Sequence, residues 1–386
     1  MTNNQQNKDP GFARGLEGVV SNTTRIGYVD GTAGRLSYRG YSIEDLAEYS
    51  TYEETVYLLL NGKLPNLSEL EEFTGQLTAN RAVPDEVMDR ITHLPCPCHP
   101  MSILRSGISL LECVDEACSI AEDLPSKKDA GIKLIAQMAT LTAAISRHLE
   151  GKEPVAPDPD LPHGGNFLYM LRGKRAEALE ERVMDLSLIL HADHGMNAST
   201  FASMVVASTL SDLHSAVSAG VSTLKGALHG GANERVIRML TGFSSVADAE
   251  TYVEQALAEK TKIMGFGHRV YKTYDPRAKI FQRYARELTE LTGNEALFEI
   301  ARTIEERVTE AYGSKGIFPN VDFYSGLIYH SLGIDGSIFT PIFAVSRIAG
   351  WVARILEYLE DNRLFRPRAV YEGPPDLPYL PIKKRV

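Results

Sequence analysis

The sequence predicts a mostly all-α fold with a few short strands near the N-terminus. Three observations lead there. Capping boxes and apolar positions at helical spacing recur from Thr51 onward. Alternating strand-type runs with turn residues lie only between Gly15 and Tyr41, in Ile26-Gly-Tyr-Val and Arg35-Leu-Ser-Tyr around Asp30-Gly31. The Gly-x-Gly at Gly265 and Gly267 lacks a third glycine and a preceding strand, which rejects a dinucleotide-binding unit.

The elements follow in order. Thr51-x-x-Glu54 caps a helix through Val56-Tyr-Leu-Leu-Leu that Asn61-Gly62 ends. Ser68-x-x-Glu71 opens another, with Leu70, Phe73 and Leu77 on its apolar face, and a third starts at His99-Pro-Met. Lys127 to Leu149 reads as a long core helix, and Glu153 to Gly165 as a Pro-rich loop. Arg175 to Leu190 is amphipathic and leads into a polar cluster: His191, Asp193, His194, Asn197, Ser199 and Thr200. Such a cluster lines a cleft or caps the next helix. Phe201 to Val221 is rich in small residues, which suits close helix–helix packing or a dimer seam. Helices are expected over Val246–Glu259, Pro276–Leu288 and Asn294–Tyr312, and another from a Thr340-Pro341 start to Leu359, with Arg347, Trp351 and Arg354 on one face. The Pro-rich tail from Arg363 carries no helix signal, and no internal repeat is visible.

Composition narrows the function. At 386 residues the chain has room for about two domains of roughly 150 residues each. A net charge of −10 argues against nucleic acid or an anionic membrane as partner. No apolar run approaches the roughly 20 residues of a membrane span, and the polar N-terminus lacks a signal core, so a cytoplasmic location is expected. The four cysteines (Cys96, Cys98, Cys113 and Cys118) are too few for a disulfide framework, and Cys96-Pro-Cys98 is too cramped for zinc; all read as free thiols.

The chemistry concentrates in three stretches. In Lys225-Gly-Ala-Leu-His229-Gly-Gly, a histidine among glycines precedes a helix-type pattern; an imidazole there tends to stay neutral and can donate to a developing oxyanion. The plain alternative is an exposed histidine in a Gly-rich turn. Gly265-Phe-Gly-His268 leads to Asp275-Pro-Arg277, and Pro319-Asn-Val-Asp322 precedes an apolar helix, where a locally read aspartate is most often an N-cap. One aspartate with two histidines can supply base, acid and carbonyl polariser. The arginines at 277, 347 and 366 match carboxylates by bidentate pairing. The set suits enolisation of one substrate beside a bound dicarboxylate, though spacing alone does not establish it. His191 and His194 could share a helix face and ligate a metal, but no third ligand is near in sequence.

From Gly15 to Val386 the chain resembles the citrate synthases, in their shorter bacterial and archaeal form. The resemblance rests on Tyr38-Arg-Gly-Tyr, Leu58-Leu-Leu-Asn-Gly-Lys-Leu-Pro, His99-Pro-Met, His191-Ala-Asp-His-Gly, Leu228-His-Gly-Gly-Ala-Asn, Gly265-Phe-Gly-His-Arg-Val-Tyr, Pro319-Asn-Val-Asp and Arg366-Pro-Arg. It implies a two-domain helical fold. Residues 1–229 and 336–386 form a large domain, and 230–335 a small inserted one. A cleft that closes on oxaloacetate and acetyl-CoA lies between them. By the same resemblance Asp322 is the base, His229 the neutral acid, and His268 the group that polarises the oxaloacetate carbonyl. His194, Arg277 and Arg347 hold carboxylates, Arg366 is lent by the partner of a homodimer, and Lys315 contacts coenzyme A. No metal or redox cofactor is implied. The extra N-terminal β-rich domain of the longer, NADH-regulated enzymes is not expected. The alternatives are a 2-methylcitrate synthase using propionyl-CoA, a helical metal-dependent hydrolase using His191 and His194, and a non-catalytic homologue.

Overall fold

The structure, a computed structural model, describes residues 12–94, 98–114 and 123–385, so Cys96 and Cys118 lie outside it; Cys98 and Cys113 are free thiols. The described chain divides into two units. Residues 24–363 form the larger and hold the sheet and all the described α-helices. Residues 12–23 and 364–385 form the smaller, whose regular elements are two short 3-10 turns, Arg14–Leu16 and Ile382–Lys384.

In the larger unit, strands Gly27–Asp30, Arg35–Tyr38 and Tyr41–Ser42 make the expected small antiparallel sheet. Asp30 closes its first turn by accepting from the N–H groups of Thr32 and Ala33 at 3.0 and 2.8 Å. The register sets Tyr38 opposite Gly27, and Tyr38 is fully buried. Its hydroxyl lies 3.1 Å from the Ile189 carbonyl and 3.0 Å from that of Asp193, pinning the sheet to the end of the Ala178–His191 helix.

Most predicted helices form, with shifted ends. Tyr52–Asn61 starts on Thr51 and stops at Gly62, as predicted. The next helix, Leu67–Ala79, starts on Asn66 and not Ser68. The Asn66 side chain accepts from the Glu69 N–H, and Glu69 returns to the Asn66 N–H, so an equally good capping box lies two residues earlier. Asp85–Thr92 was not anticipated; only Val87 and Ile91 of it are buried, too few to show a period. The Pro-rich loop ends early, because His163–Arg172 is already helical. The small-residue stretch is two helices, Ala198–Ser208 and Leu213–Leu224, packed on each other.

Phe339–Leu359 runs through the core against Leu124–Leu149, Ala178–His191 and Ala198–Ser208. With the preceding turn it is long and apolar enough to cross a membrane, but it is buried within the protein. Thr340 is not its cap: the helix begins at Phe339, and the Thr340 hydroxyl donates to the Gly230 carbonyl at 3.2 Å. A Cβ on Gly350 would stand 2.2 Å from the Ala192 carbonyl oxygen, so only glycine permits this approach of helix to loop.

Arg347, Trp351 and Arg354 share the expected face, and all three are buried. The Arg354 guanidinium donates to both carboxylate oxygens of buried Asp193, at 2.6 and 2.7 Å. Arg354→Ala would leave that carboxylate uncompensated, which typically costs about 3–5 kcal/mol. The expected outcome is a lower urea midpoint with an unchanged slope; a midpoint within error of the parent would show that the pair contributes little.

Candidate active site

His229 stands in the turn between the Leu213–Leu224 and Ala232–Leu240 helices. The Ser199 N–H, in the first turn of Ala198–Ser208, donates to His229 Nε2 at 3.2 Å, and the Ser199 hydroxyl lies 2.8 Å from the same atom. The Ser199 hydroxyl in turn donates to Asn197 Oδ1 at 2.8 Å. A backbone donor aimed at Nε2 makes that atom an acceptor, so the single proton of the neutral ring sits on Nδ1. Burial, with the Arg347 charge adding to it, lowers the His229 pKa to about 4. The ring is therefore neutral, and the helix N-terminus beside it is that of Ala198–Ser208.

His268 lies in the loop before Pro276–Thr292. Its Nδ1 accepts from the N–H groups of Val270 and Tyr271 at 3.0 and 3.2 Å, which leaves the proton on Nε2. Burial and then the Arg277 charge lower its pKa to about 4. The His194 ring packs edge-on against it, with centroids 5.2 Å apart, and His194 Nε2 lies 3.1 Å from the Tyr271 hydroxyl. Burial, then Arg277, hold His194 neutral as well. Two neutral histidines thus carry their protons on opposite ring nitrogens, each set by main-chain donors.

Asp322 is not an N-cap. Asn320 caps Val321–Ser331, accepting from the Asp322 N–H at 3.0 Å. The Asp322 carboxylate accepts no hydrogen bond among the described residues. Burial raises its pKa to about 6, against the opposing charge of Arg277. A carboxylate free of donors is the form that can take a proton.

The two arginines differ. Arg277 is locked bidentate on Asp275, at 3.0 and 2.8 Å, and the pairing raises its pKa despite burial. Arg347 is equally buried, yet it forms no ion pair among the described residues. Its Nε donates to the His191 carbonyl at 2.7 Å, and its guanidinium lies 4.6 Å from the centre of the Phe343 ring. Burial lowers its pKa to about 10. The Arg347 charge acts on His229, His194 and Asp322, and that of Arg277 on His194, His268 and Asp322, so these residues share one neighbourhood.

The other predicted residues have different surroundings. Lys315 is exposed, its ammonium 4.7 Å from the centre of the Tyr312 ring. Arg366 is exposed in the smaller unit and forms no hydrogen bond or ion pair among the described residues. His191, the other half of the candidate metal pair, is fully buried. Its Nδ1 is bound to the Ser187 carbonyl at 2.9 Å, and its ring packs on Phe343 and Phe281. No group of three metal-ligating side chains occurs among the described residues. Tyr271, Asp275 and Asn320 were not singled out from sequence. Asp275, just before a proline and two residues before Arg277, carried a readable signal as helix cap and arginine partner.

The family described as "Citrate synthase, C-terminal domain" matches residues 15–368. A citrate synthase of Deinococcus radiodurans is 46% identical over 97% of this chain and 99% of its own length. The crystal structure of citrate synthase from Pyrobaculum aerophilum superposes with a TM-score of 0.91 at 45% identity, covering 96% of this chain and 95% of that one. A ternary complex of Thermoplasma acidophilum citrate synthase with carboxymethyl coenzyme A and oxaloacetate does so with 0.91 at 37% identity, over 97% and 99%. With the two neutral histidines, the donor-free aspartate and the unpaired buried arginine in one neighbourhood, these matches establish that the chain belongs to the citrate synthase family.

Proposed function

We propose that this chain condenses acetyl-CoA with oxaloacetate and hydrolyses the resulting citryl-CoA to citrate and coenzyme A. The observation that carries the reading is the protonation pattern of the cluster: a donor-free carboxylate beside two neutral histidines with opposed tautomers. Asp322 takes a methyl proton from acetyl-CoA while His229 Nδ1–H supports the enol oxygen. The His268 Nε2–H polarises the oxaloacetate ketone, and the enol carbon adds to it, forming one C–C bond. Water then cleaves the thioester. Arg347 and Arg277, with His194, hold the oxaloacetate carboxylates. Proton transfer and carbonyl polarisation cover the chemistry, so no resident metal or redox cofactor is assigned. Lys315 is assigned to coenzyme A. Residues 1–229 and 336–386 are read as the large domain and 230–335 as the inserted small one, and a cytoplasmic location goes with this reading.

Acetyl-CoA is favoured over propionyl-CoA, although one methylene is worth only about 1–3 kcal/mol of discrimination. A free-thiol assay with oxaloacetate and each thioester tests the reading. It should give the higher kcat/KM with acetyl-CoA, and preference for propionyl-CoA would point to 2-methylcitrate formation instead.

Asp322→Asn keeps the size and removes the base. General-base catalysis is worth about 10²–10⁴-fold, and kcat should fall by at least that order with oxaloacetate binding retained. Near-parental turnover would remove Asp322 from the base role.

A pH profile separates the groups. The base must be ionised, so kcat/KM should fall as pH drops through about 6, the raised Asp322 value. Both catalytic histidines, at about 4, stay neutral across that limb. Stability carries the opposite sign. A carboxyl held above its unfolded pKa of 3.8 stabilises the fold below that value and loses this as pH rises through about 6. Asp322→Asn should therefore be more stable than the parent at pH 8, by about 1–3 kcal/mol, and gain little at pH 4.

Arg366 is read as serving the partner's site in a two-fold dimer, as an extended Pro-flanked arm. Arg366→Ala and Asp322→Asn homodimers should each be nearly inactive. In the heterodimer one site collects both lesions and the other neither, so refolded mixtures should recover up to about half the activity per heterodimer. Verified heterodimers without recovery would show that the arm stays on its own chain.

A further inference from the structure

We propose that Asn320 is a positioning residue that clasps the His268 loop to the Asp322 helix through the two ends of its side-chain amide. The proposal rests on the roles given above to His268 and Asp322. The amide oxygen accepts from the Asp322 N–H at 3.0 Å and caps Val321–Ser331. The amide nitrogen donates to the Gly267 carbonyl at 3.0 Å, one residue before His268. The Asn320 main chain adds a third tie, its N–H donating to the Gly265 carbonyl at 2.9 Å, and the Gly267 N–H donates to the Phe318 carbonyl at 2.9 Å. Phe266 and Pro319 form an isolated antiparallel bridge between the same two segments.

The geometry gives each atom of the amide a separate task. Gly265 and Gly267 both have φ of +81°, a conformation that leaves the loop without a regular hydrogen-bond ladder of its own. Its position against the helix therefore depends on bonds made across to residues 318–320. The main-chain pair fixes the approach of the two segments. The amide nitrogen adds the bond next to His268, so the direction of the His268 ring relative to the Asp322 carboxylate depends on it. Reacting groups must be held to within a fraction of an ångström, and a misplacement of about 1 Å can cost 10²-fold. Serine and aspartate are good helix caps but provide no N–H donor to Gly267, so they separate the two tasks.

The test uses the full-length protein and three variants, Asn320→Ser, Asn320→Asp and Asn320→Ala, with Asp322→Asn alongside. Asn320→Ser keeps a cap and loses the clasp. The expected result is a thermal midpoint close to the parent and a kcat lower by about tenfold or more. A weaker response to oxaloacetate should accompany it, because the His268 loop is no longer fixed. Asn320→Asp should lose kcat likewise, and its added carboxylate should move the acidic limb of the pH profile upward. Asn320→Ala should lose both stability and turnover. If Asn320→Ser and Asn320→Asp turn over like the parent while Asn320→Ala alone is destabilised, Asn320 is only a cap and the proposal is overturned. Should Asn320→Ser not fold, Asn320→Asp alone decides by the same criterion. Full activity of Asp322→Asn would instead overturn the base assignment, whatever the Asn320 variants do.

Discussion

Two arginines on one buried helix, seven residues apart, dictate much of the rest. A guanidinium taken out of water needs a partner, because the uncompensated charge is far more costly than a paired one. Arg354 has its partner: Asp193 accepts from it bidentate and also accepts from the Gly195 N–H at 3.2 Å. This pair, the Tyr38 hydroxyl and the close approach at Gly350 fix the loop that carries His194. Among the described residues, Arg347 has the His191 carbonyl and the face of Phe343 and no ion pair. The fold holds it where an anionic ligand would supply the missing charge. A carboxylate bound there would offset a cost the protein already carries.

The same desolvation sets the proton inventory. Burial lowers the histidines and raises the aspartate, and the neighbouring arginine charges push the histidines further down while opposing the rise at Asp322. Were the arginines absent, Asp322 would sit higher still and be less ionised at neutral pH. Arg277 and Arg347 therefore favour the ionised form of Asp322. Desolvation alone cannot choose which ring nitrogen carries the proton. The main chain does that, through the Ser199 N–H at His229 and the paired Val270 and Tyr271 N–H groups at His268.

How much of this was legible in the sequence depends on the range of the interaction. Thr51 and Gly62 act within their own turn, and the helix they bound was read correctly. Asn66 against Ser68 was decided between two equal local signals, so the sequence could not choose. Asp85–Thr92 is short, with two buried residues, and gave no period to read. His229, His268 and Asp322 stood out by glycine or proline context, but their grouping came from family motifs and not from spacing. Asp322 in particular is locally indistinguishable from a cap; that Asn320 takes the cap frees its carboxylate. What sequence could not show was pairing across long separations. Asp193 is 161 residues from Arg354, and the Ser199 and His229 pair spans 30. Thr340 likewise reads as a cap until the Gly230 carbonyl, 110 residues away, is seen to accept from it.

The His268 loop shows why such pairings matter more than helix propensity at this site. The loop has little regular structure, yet it holds the buried, neutral His268 ring in one tautomer. Opposite ties hold it. On one side lie Asn320 and the Phe266–Pro319 bridge. On the other, the Lys272 N–H donates to the Gly31 carbonyl at 2.8 Å, at the tip of the N-terminal hairpin. A Cβ at Gly31 would stand 2.1 Å from the Val270 carbonyl oxygen, so the contact demands glycine there. Val270 is also one of the two donors that fix the His268 tautomer. The small sheet is thus tied to the His268 loop through a single turn.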